Sequence, residues 1–254
     1  MLLTIDAGNT QTVVGLFRDA ELVDHWRIAT VAERTSDELA LMVQQFLGFH
    51  GFSFENAITG VAISSGVPRV TAELRQMTER YFGFPALVLE PGVRTGMPIL
   101  YDNPKEVGAD RIANAVGAYD LYGGPSIVAD FGTATTIEAV SENGEYLGGA
   151  IFPGVEISMD ALFGRAAALR RVELVPPKNV IGKSTVESIQ SGAVYGFSGQ
   201  VDALVDRFQR ELGPCTVIST GGVAEAIIPF SRTIQHHEPW LTMQGLRIVF
   251  ERNQ

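Results

Sequence analysis

Asp6 and Asp130 each stand two residues before a glycine, at the end of an apolar run. The first run reads TIDAGNTQTVVGLF (residues 4–17) and the second SIVADFGTATTIEAV (residues 126–140). In both, small polar residues follow the glycine and an apolar strand resumes. Taken singly, each is explained by a hairpin, since Gly-Asn favours a tight turn and Asp bonds turn backbone. Two copies with the same acid and glycine, 124 residues apart in a chain of 254, ask for more. Tight turns lined with backbone N–H groups and hydroxyls suit phosphate oxygens. Paired carboxylates hold a divalent cation on phosphate, directly or through water. Two such turns facing each other would clamp the phosphates of a nucleotide, with Asp6 as magnesium and phosphate organiser.

The elements that must position these turns alternate along the chain. MLLTI, TVVGLF and LVDHWRI read as strands. TSDELALMVQQFLG reads as a helix opened by a Thr35/Glu38 capping box. GVAISS is a strand, PRVTAELRQMTERYFG a helix started by Pro68 and stopped by Gly83, and ALVLE a strand. The aperiodic passage PGVRTGMPILYDNPKEVGAD, long for a loop in a compact domain, is expected to be functional. The helix RIANAVGAYDLYG follows, and at Ser126 the pattern restarts. EYLGGAI is a strand, VEISMDALFGRAAAL a helix, TVIST a strand, and GVAEAII and LTMQGLRIVFERN are helical. The internal echo implies an α/β protein of two similar lobes, 1–115 and 116–254. A Gly221-Gly222 turn after TVIST is a further place where a ligand approaches backbone.

In the long helix TVESIQSGAVYGFSGQVDALVDRFQREL, the residues Val186, Ile189, Ala193, Phe197, Val201, Leu204, Phe208 and Leu212 form one apolar stripe. Gly192, Gly196, Gly199 and Ala203 form a second stripe of small residues. Each glycine costs about 1 kcal/mol in a helix relative to Ala. Three of them point to a close backbone approach, either inside the fold or at a subunit interface.

Composition excludes several classes. Apolar residues make up 46% and charged residues 19%, a globular balance. The formal net charge of −10 argues against nucleic-acid binding, which needs a basic footprint. No run is long and apolar enough to span a membrane, and no signal peptide is expected. The lone Cys215 fits a reducing, cytoplasmic setting and reads as a small core residue. GKST at 182–185 lacks the earlier glycine of a P-loop, because Pro177 stands there. Ser184 with Glu187 reads instead as a capping box. QHHEP at 235–239 reads as a solvated loop rather than a zinc site.

Two Asp-x-Gly turns opening two lobes, with a late Gly-Gly turn, resemble the acetate kinase/sugar kinase/Hsp70/actin superfamily. Within it, IDAGNT, DNPKEVGADR, DFGTATT, GGAIFPG and LTMQGLRIVFERN, in that order, are similar to the signatures of type III pantothenate kinases. DNPKEVGADR is the most specific of these. The resemblance implies two ribonuclease H-like lobes with an ATP cleft between them. It implies Mg-ATP-dependent phosphorylation of pantothenate to 4'-phosphopantothenate, the first step of coenzyme A biosynthesis, by a cytoplasmic homodimer. By position, Asp6, Ala7, Gly8, Asn9, Thr10, Gln11, Thr12 and Val13 would hold the ATP phosphates, and Thr133 would bond them from the second lobe. Asp110 would be the general base. Tyr101, the Gly108–Ala109–Asp110–Arg111 loop and Thr185 would contact pantothenate. A monovalent cation, K+ or NH4+, would sit beside Asp130. One departure is visible: after MDALFG the family commonly shows Thr-Ala-x-Leu-Pro, where this chain has RAAALRRVEL.

Taken from the residues alone, Asp110 reads first as a helix N-cap, and Arg111 has a plain reading as a surface arginine. The competing functions are another superfamily kinase acting on a sugar or carboxylate, a non-catalytic regulatory relative, and a nucleotide switch. The presence of Asp6, Asp110 and Asp130 together favours catalysis.

Overall fold

A computed structural model describes residues 1–166 and 168–254, with the side chains of residues 55 and 56 outside the description. The first strands are β1 (Leu2–Ala7), β2 (Gln11–Arg18) and β3 (Glu21–Ala29). Helices α1 (Ser36–Gly48) and α2 (Phe54–Ala57), strand β4 (Gly60–Ser65), helix α3 (Pro68–Met77), strand β5 (Leu87–Val88) and helix α4 (Ala109–Tyr122) follow. The pattern restarts with β6 (Ser126–Phe131), β7 (Ala134–Val140), β8 (Tyr146–Pro153), α5 (Val155–Arg165) and α6 (Thr185–Leu212). The chain ends through β9 (Thr216–Thr220), α7 (Ala224–Ile227), β10 (His236–His237) and α8 (Leu241–Glu251).

Two compact units result. One comprises Met1–Met97, Asp102–Gly117 and Thr242–Gln254; the other comprises Pro98–Tyr101 and Ala118–Leu241. The expected single boundary at 115/116 is therefore too simple. Helix α8 returns to the first unit because its apolar residues pack there: Met243 sulfur lies 3.3 Å from the Thr4 hydroxyl of β1.

Each unit holds one five-stranded sheet, and the two have the same wiring. The first runs β3-β2-β1-β4-β5 and the second β8-β7-β6-β9-β10. In each, three consecutive strands form an antiparallel meander and the next two pair in parallel. The echo read in the sequence is thus an echo of topology.

Strand alternation assigns the faces. In the first unit, Leu3, Ile5 and Ala7 of β1 share a core with Val14, Leu16, Val61 and Ile63, under Leu39, Val43 and Leu47 of α1 and Val70, Leu74 and Met77 of α3. In the second, Ile127, Ala129 and Phe131 of β6 pack with Ile137, Val217, Val155, and Phe197, Val201 and Val205 of α6. Asp6 and Asp130 lie on the opposite, equivalent face of their sheets. The Thr35/Glu38 box is fully formed: the Glu38 N–H donates to Thr35 Oγ1 (3.3 Å), and the Thr35 N–H donates to Glu38 Oε2 (2.8 Å).

Helix α3 passes at Thr78–Phe82 into a π turn, where the buried Thr78 hydroxyl donates back to the Leu74 carbonyl (2.8 Å), and Gly83 (φ +78°) ends it as the sequence predicts. Other elements differ from the sequence expectation. Helix α5 stops at Arg165 instead of running through RAAAL; the Leu169 N–H turns back to the Ala166 carbonyl (2.9 Å). Ala167 lies outside the described residues.

Val186 does not belong to the buried stripe of α6. It is 49% exposed, in a first turn whose neighbours Lys183 to Thr185 are also exposed. The His236–His237 pair is not a solvated loop but strand β10, paired with β9. The His236 ring stacks on Tyr122 (4.4 Å) and His237 Nδ1 lies 3.1 Å from Ser219 Oγ. Burial and the Glu238 carboxylate push the Tyr122 phenol up to about 12.

The small stripe of α6 gives a clear result. A Cβ built at Gly192, Gly196 or Gly199 meets nothing within 4 Å. Packing among the described residues does not explain these glycines.

Candidate active site: two acid-glycine turns and a helix start

The first turn joins β1 to β2. The Gly8 N–H donates to the Gln11 carbonyl (3.0 Å), so Gly8, Asn9, Thr10 and Gln11 close a four-residue turn between the paired residues Ala7 and Thr12. A Cβ at Gly8 would lie 3.2 Å from the Gln11 oxygen, which favours glycine there. The Asn9 and Thr10 side chains are exposed. Thr12 Oγ1 lies 2.8 Å from Thr30 Oγ1, and the Thr30 N–H donates to the Thr10 carbonyl (2.9 Å). The start of β2 is therefore braced by the end of β3. Asp6 is half-buried on β1, in register with Val13 of β2 and Ser64 of β4.

The second turn is built tighter. The Gly132 N–H donates to the Ala134 carbonyl (3.1 Å), and the paired residues Phe131 and Thr135 enclose one residue fewer than in the first turn. Two glycines from elsewhere in the unit back it. Gly154, which caps α5, donates its N–H to the Thr133 carbonyl (3.1 Å). A Cβ there would come within 2.3 Å of that oxygen and 2.4 Å of the Gly132 oxygen. Gly221, with φ +98°, would place a Cβ 2.5 Å from Phe131 N and 2.6 Å from Asp130 Oδ1. The late Gly-Gly turn thus packs on the second acid-glycine turn. Thr133 is exposed, at the start of an eleven-residue helix whose N–H groups favour anions.

Each acid has hydroxyl neighbours on its own sheet face. Ser64 sits beside Asp6, and Thr136 and Thr220 sit beside Asp130. Ser64 Oγ and Thr136 Oγ1 are buried with no hydrogen-bond partner among the described residues. Sequence reading passed over all three; for Ser64 and Thr220 a signal was present, since polar residues close the apolar strands GVAISS and TVIST. These are oxygen-only sets, suited to hard cations such as Mg2+ or K+.

Asp110 is not the N-cap of α4. The Ile112 N–H bonds the Gly108 carbonyl (3.1 Å), which makes Gly108 the cap and Asp110 the second helical residue. Its carboxylate is exposed, and Oδ1 accepts from the Arg111 N–H (2.9 Å). Gly108 permits this fold-back, because a Cβ there would lie 2.4 Å from Asp110 Oδ1. Arg111 is buried at 7% exposure, so the surface-arginine alternative does not hold.

Tyr101 belongs to the second unit. Its backbone neighbours pair with β8: the Leu100 N–H donates to the Tyr146 carbonyl and the Tyr146 N–H to the Pro98 carbonyl, both at 2.8 Å. The Tyr101 ring lies 3.4 Å from where a Cβ of Gly148 (φ +121°) would be. Thr185 opens α6 and is exposed. Its cap is half of the expected box. Ser184 Oγ accepts from the Glu187 N–H (3.2 Å), but the Glu187 carboxylate accepts from Lys183 N–H (2.9 Å) instead of closing on Ser184.

The first unit therefore carries Asp6 to Val13 and Gly108 to Arg111, and the second carries Tyr101, Asp130, Thr133 and Thr185. Cys215 takes no part: it is buried, and burial pushes its thiol up, away from the reactive thiolate.

Solved structures of similar fold cover nearly the whole chain. The (R)-2-hydroxyglutaryl-CoA dehydratase component A of Acidaminococcus fermentans matches with a TM-score of 0.59 at 15% identity, covering 98% of this chain and 95% of that one. The ROK hexokinase of Thermus thermophilus matches with a TM-score of 0.54 at 15% identity, covering 99% of both. At these identities they show the fold alone, an α/β fold of two similar lobes.

Nearer relatives show more. A type III pantothenate kinase of Streptomyces griseus is 58% identical over 261 residues, spanning all of this chain and 98% of that protein. One of Thermobifida fusca is 53% identical over 258 residues, spanning all of both. The family model for type III pantothenate kinase matches residues 2–207. Whole-length relatives at more than half identity carry the same family name as the matching model, and this chain belongs to the type III pantothenate kinase family.

Proposed function

We propose that this chain performs its family's reaction through the turns and helix start just described. The reaction is the ATP-dependent phosphorylation of pantothenate to 4'-phosphopantothenate, the first step of coenzyme A biosynthesis. The observation that supports this division of labour most directly is the repeated turn: the same acid, glycine and small polar residues at the same strand junction of two sheets with one topology. The backbone and hydroxyls from Asp6 to Val13 bind ATP phosphates, and Thr133 adds a donor from the second turn. Phosphoryl transfer needs positioning, charge neutralisation and an oriented nucleophile. Mg2+ and a monovalent cation supply the neutralisation when bound; Asp6 with Ser64, and Asp130 with Thr136 and Thr220, are the oxygen sets that would hold them. Asp110 accepts the proton of the pantothenate hydroxyl, on the oxygen not engaged by the Arg111 N–H. Arg111 offers a two-pronged donor to a carboxylate or phosphate. Tyr101 and Thr185 complete the pantothenate contacts.

The test is ADP release from ATP with pantothenate, acetate or a hexose as acceptor, with and without potassium. Pantothenate-dependent release stimulated by potassium is expected; no release with pantothenate in either condition overturns the reading. Asp6→Asn is expected to raise the magnesium requirement and weaken Mg-ATP use while leaving thermal unfolding in place. An unchanged magnesium dependence removes Asp6 from metal handling.

The homodimer belongs to the same proposal. Its support is the small stripe of α6, where Gly192, Gly196 and Gly199 leave open space among the described residues. In a monomer, Gly199→Ala would stabilise the helix by about 0.5–1 kcal/mol. If a second copy lies against the stripe, Gly196→Val lowers the sedimentation mass from dimer to monomer; an unaltered mass discards the stripe as the interface. The proposed setting is the cytoplasm, supported by the single buried cysteine. Among the described residues, no helix is long and apolar enough to cross a membrane.

A further inference from the structure

Helix α8 holds both ends of the segment that bears the pantothenate-side residues. At the far end of that segment, α8 packs on α4 just after Asp110. Gly245 lies so close to α4 that a Cβ would come within 1.9 Å of the Ala113 carbonyl oxygen, and the Thr242 hydroxyl donates to Asn114 Oδ1 (2.7 Å). At the near end, the residues that follow α8 grip Arg94, Thr95 and Gly96. Asn253 treats Arg94 as a neighbouring strand would: its Oδ1 accepts from the Arg94 N–H (3.2 Å) and its Nδ2 donates to the Arg94 carbonyl (2.9 Å). The Arg252 guanidinium donates to the Thr95 carbonyl and lies flat against Gly96, where a Cβ would meet Nη1 at 2.5 Å.

The grip is itself anchored. The Phe250 ring fills the space that a Gly60 side chain on β4 would need. Asn253 Nδ2 also donates to the Val249 carbonyl (2.7 Å), which fixes its side chain on the last turn of α8. The Thr95 hydroxyl also bonds the N–H and carbonyl of Met97, itself buried, so the hold extends to Met97. Loops otherwise sample many conformations, and ordering them at binding weakens affinity.

We infer that Arg252 and Asn253 are positioning residues that pre-set the 94–108 segment for pantothenate. They touch neither substrate. They act by removing conformations of the stretch from Arg94 to Met97, which leads into the β8 pairing at Pro98–Leu100. The inference rests on the proposed pantothenate contact of Tyr101, and its test separates the two.

Asn253→Ala, Asn253→Asp, Arg252→Ala, Arg252→Lys and Tyr101→Ala are made in the full chain. KM for pantothenate, KM for ATP, and the rate of tryptic cleavage at Arg94–Thr95 are measured for each. Asn253→Ala and Arg252→Ala are expected to raise the pantothenate KM roughly five- to fifty-fold, within the ~10²-fold that a 1 Å misplacement costs, while the ATP KM stays within about twofold. Cleavage at Arg94–Thr95 accelerates in both, and saturating pantothenate slows it again. Arg252→Lys, which keeps a donor for the Thr95 carbonyl, restores part of the loss. Asn253→Asp, which loses the donor to the Arg94 carbonyl, does not. Equal rises in both KM values, or cleavage at Arg94–Thr95 as slow as in the unmodified protein, overturn the inference. If Tyr101→Ala raises the pantothenate KM and the Asn253 and Arg252 variants do not, the clamp alone falls. If Tyr101→Ala leaves it unchanged, the pantothenate-side assignment falls and takes the clamp with it.

Discussion

Asp110→Asn lowers kcat by about 10²–10⁴-fold, the usual worth of a general base, with ATP binding retained. The alternative role for Asp110, a cap holding the start of α4, is excluded by geometry. Gly108 is the cap, and the Asp110 carboxylate folds back onto the Arg111 N–H through one oxygen. An asparagine keeps that bond, because its amide oxygen accepts equally well, so the helix start stays intact while the proton acceptor is lost. The substitution therefore separates chemistry from structure better than Asp110→Ala, which removes the bond as well. A first-turn carboxylate also stabilises a helix by about 0.3–1 kcal/mol. That is too little to account for a fall of two orders of magnitude or more. Thermal unfolding and ATP affinity should accordingly stay close to those of the unmodified protein. Near-normal turnover with intact ATP binding removes Asp110 from proton transfer.

How much of this was legible in the sequence follows from what each signal depends on. The strand–turn–strand units were legible because apolar alternation and Gly-x chemistry are local. The Thr35/Glu38 box formed as read for the same reason. The cap of α4 was left open because both Gly108 and Asp110 favour that position, and only the backbone path decides between them. The end of α3 at Gly83 was legible, whereas the end of α5 was misplaced because a reversal at Ala166 outweighs continuing periodicity. The pairing of His236–His237 with β9 is non-local, and two residues carry no period. The polar residues that close GVAISS and TVIST were legible, but their placement beside the acids is set by strand register across the sheet. The glycines of α6 were legible as an anomaly. Only coordinates show that their space is open within the chain.

Gly221→Ala tests the most distant contribution to the second turn. Gly221 has φ +98°, a conformation that L residues rarely adopt, and a strained backbone of this kind costs about 1–3 kcal/mol. The added methyl would also stand 2.5 Å from Phe131 N and 2.6 Å from Asp130 Oδ1. The carboxylate can rotate, but the Phe131 N–H is part of β6 and cannot yield without moving the turn that carries Gly132 and Thr133. Gly213→Ala is the matched control. Gly213 also has positive φ (+82°), yet a Cβ there meets nothing within 4 Å. Both variants should therefore lose stability from strain, a fall in Tm of roughly 4–8 °C for about 2 kcal/mol in a chain of this size, and Gly221→Ala more through its contact with β6. Only Gly221→Ala should also lower kcat/KM for ATP, by up to ~10²-fold as a misplaced phosphate donor would. Its pantothenate KM should change little. The decisive comparison is thus kinetic: if the two variants share one kinetic profile, the Gly221 turn supports the fold without setting the phosphate turn. If they diverge in ATP use alone, the second acid-glycine turn is held in its working shape from β6, from the cap of α5 and from the loop after β9 together.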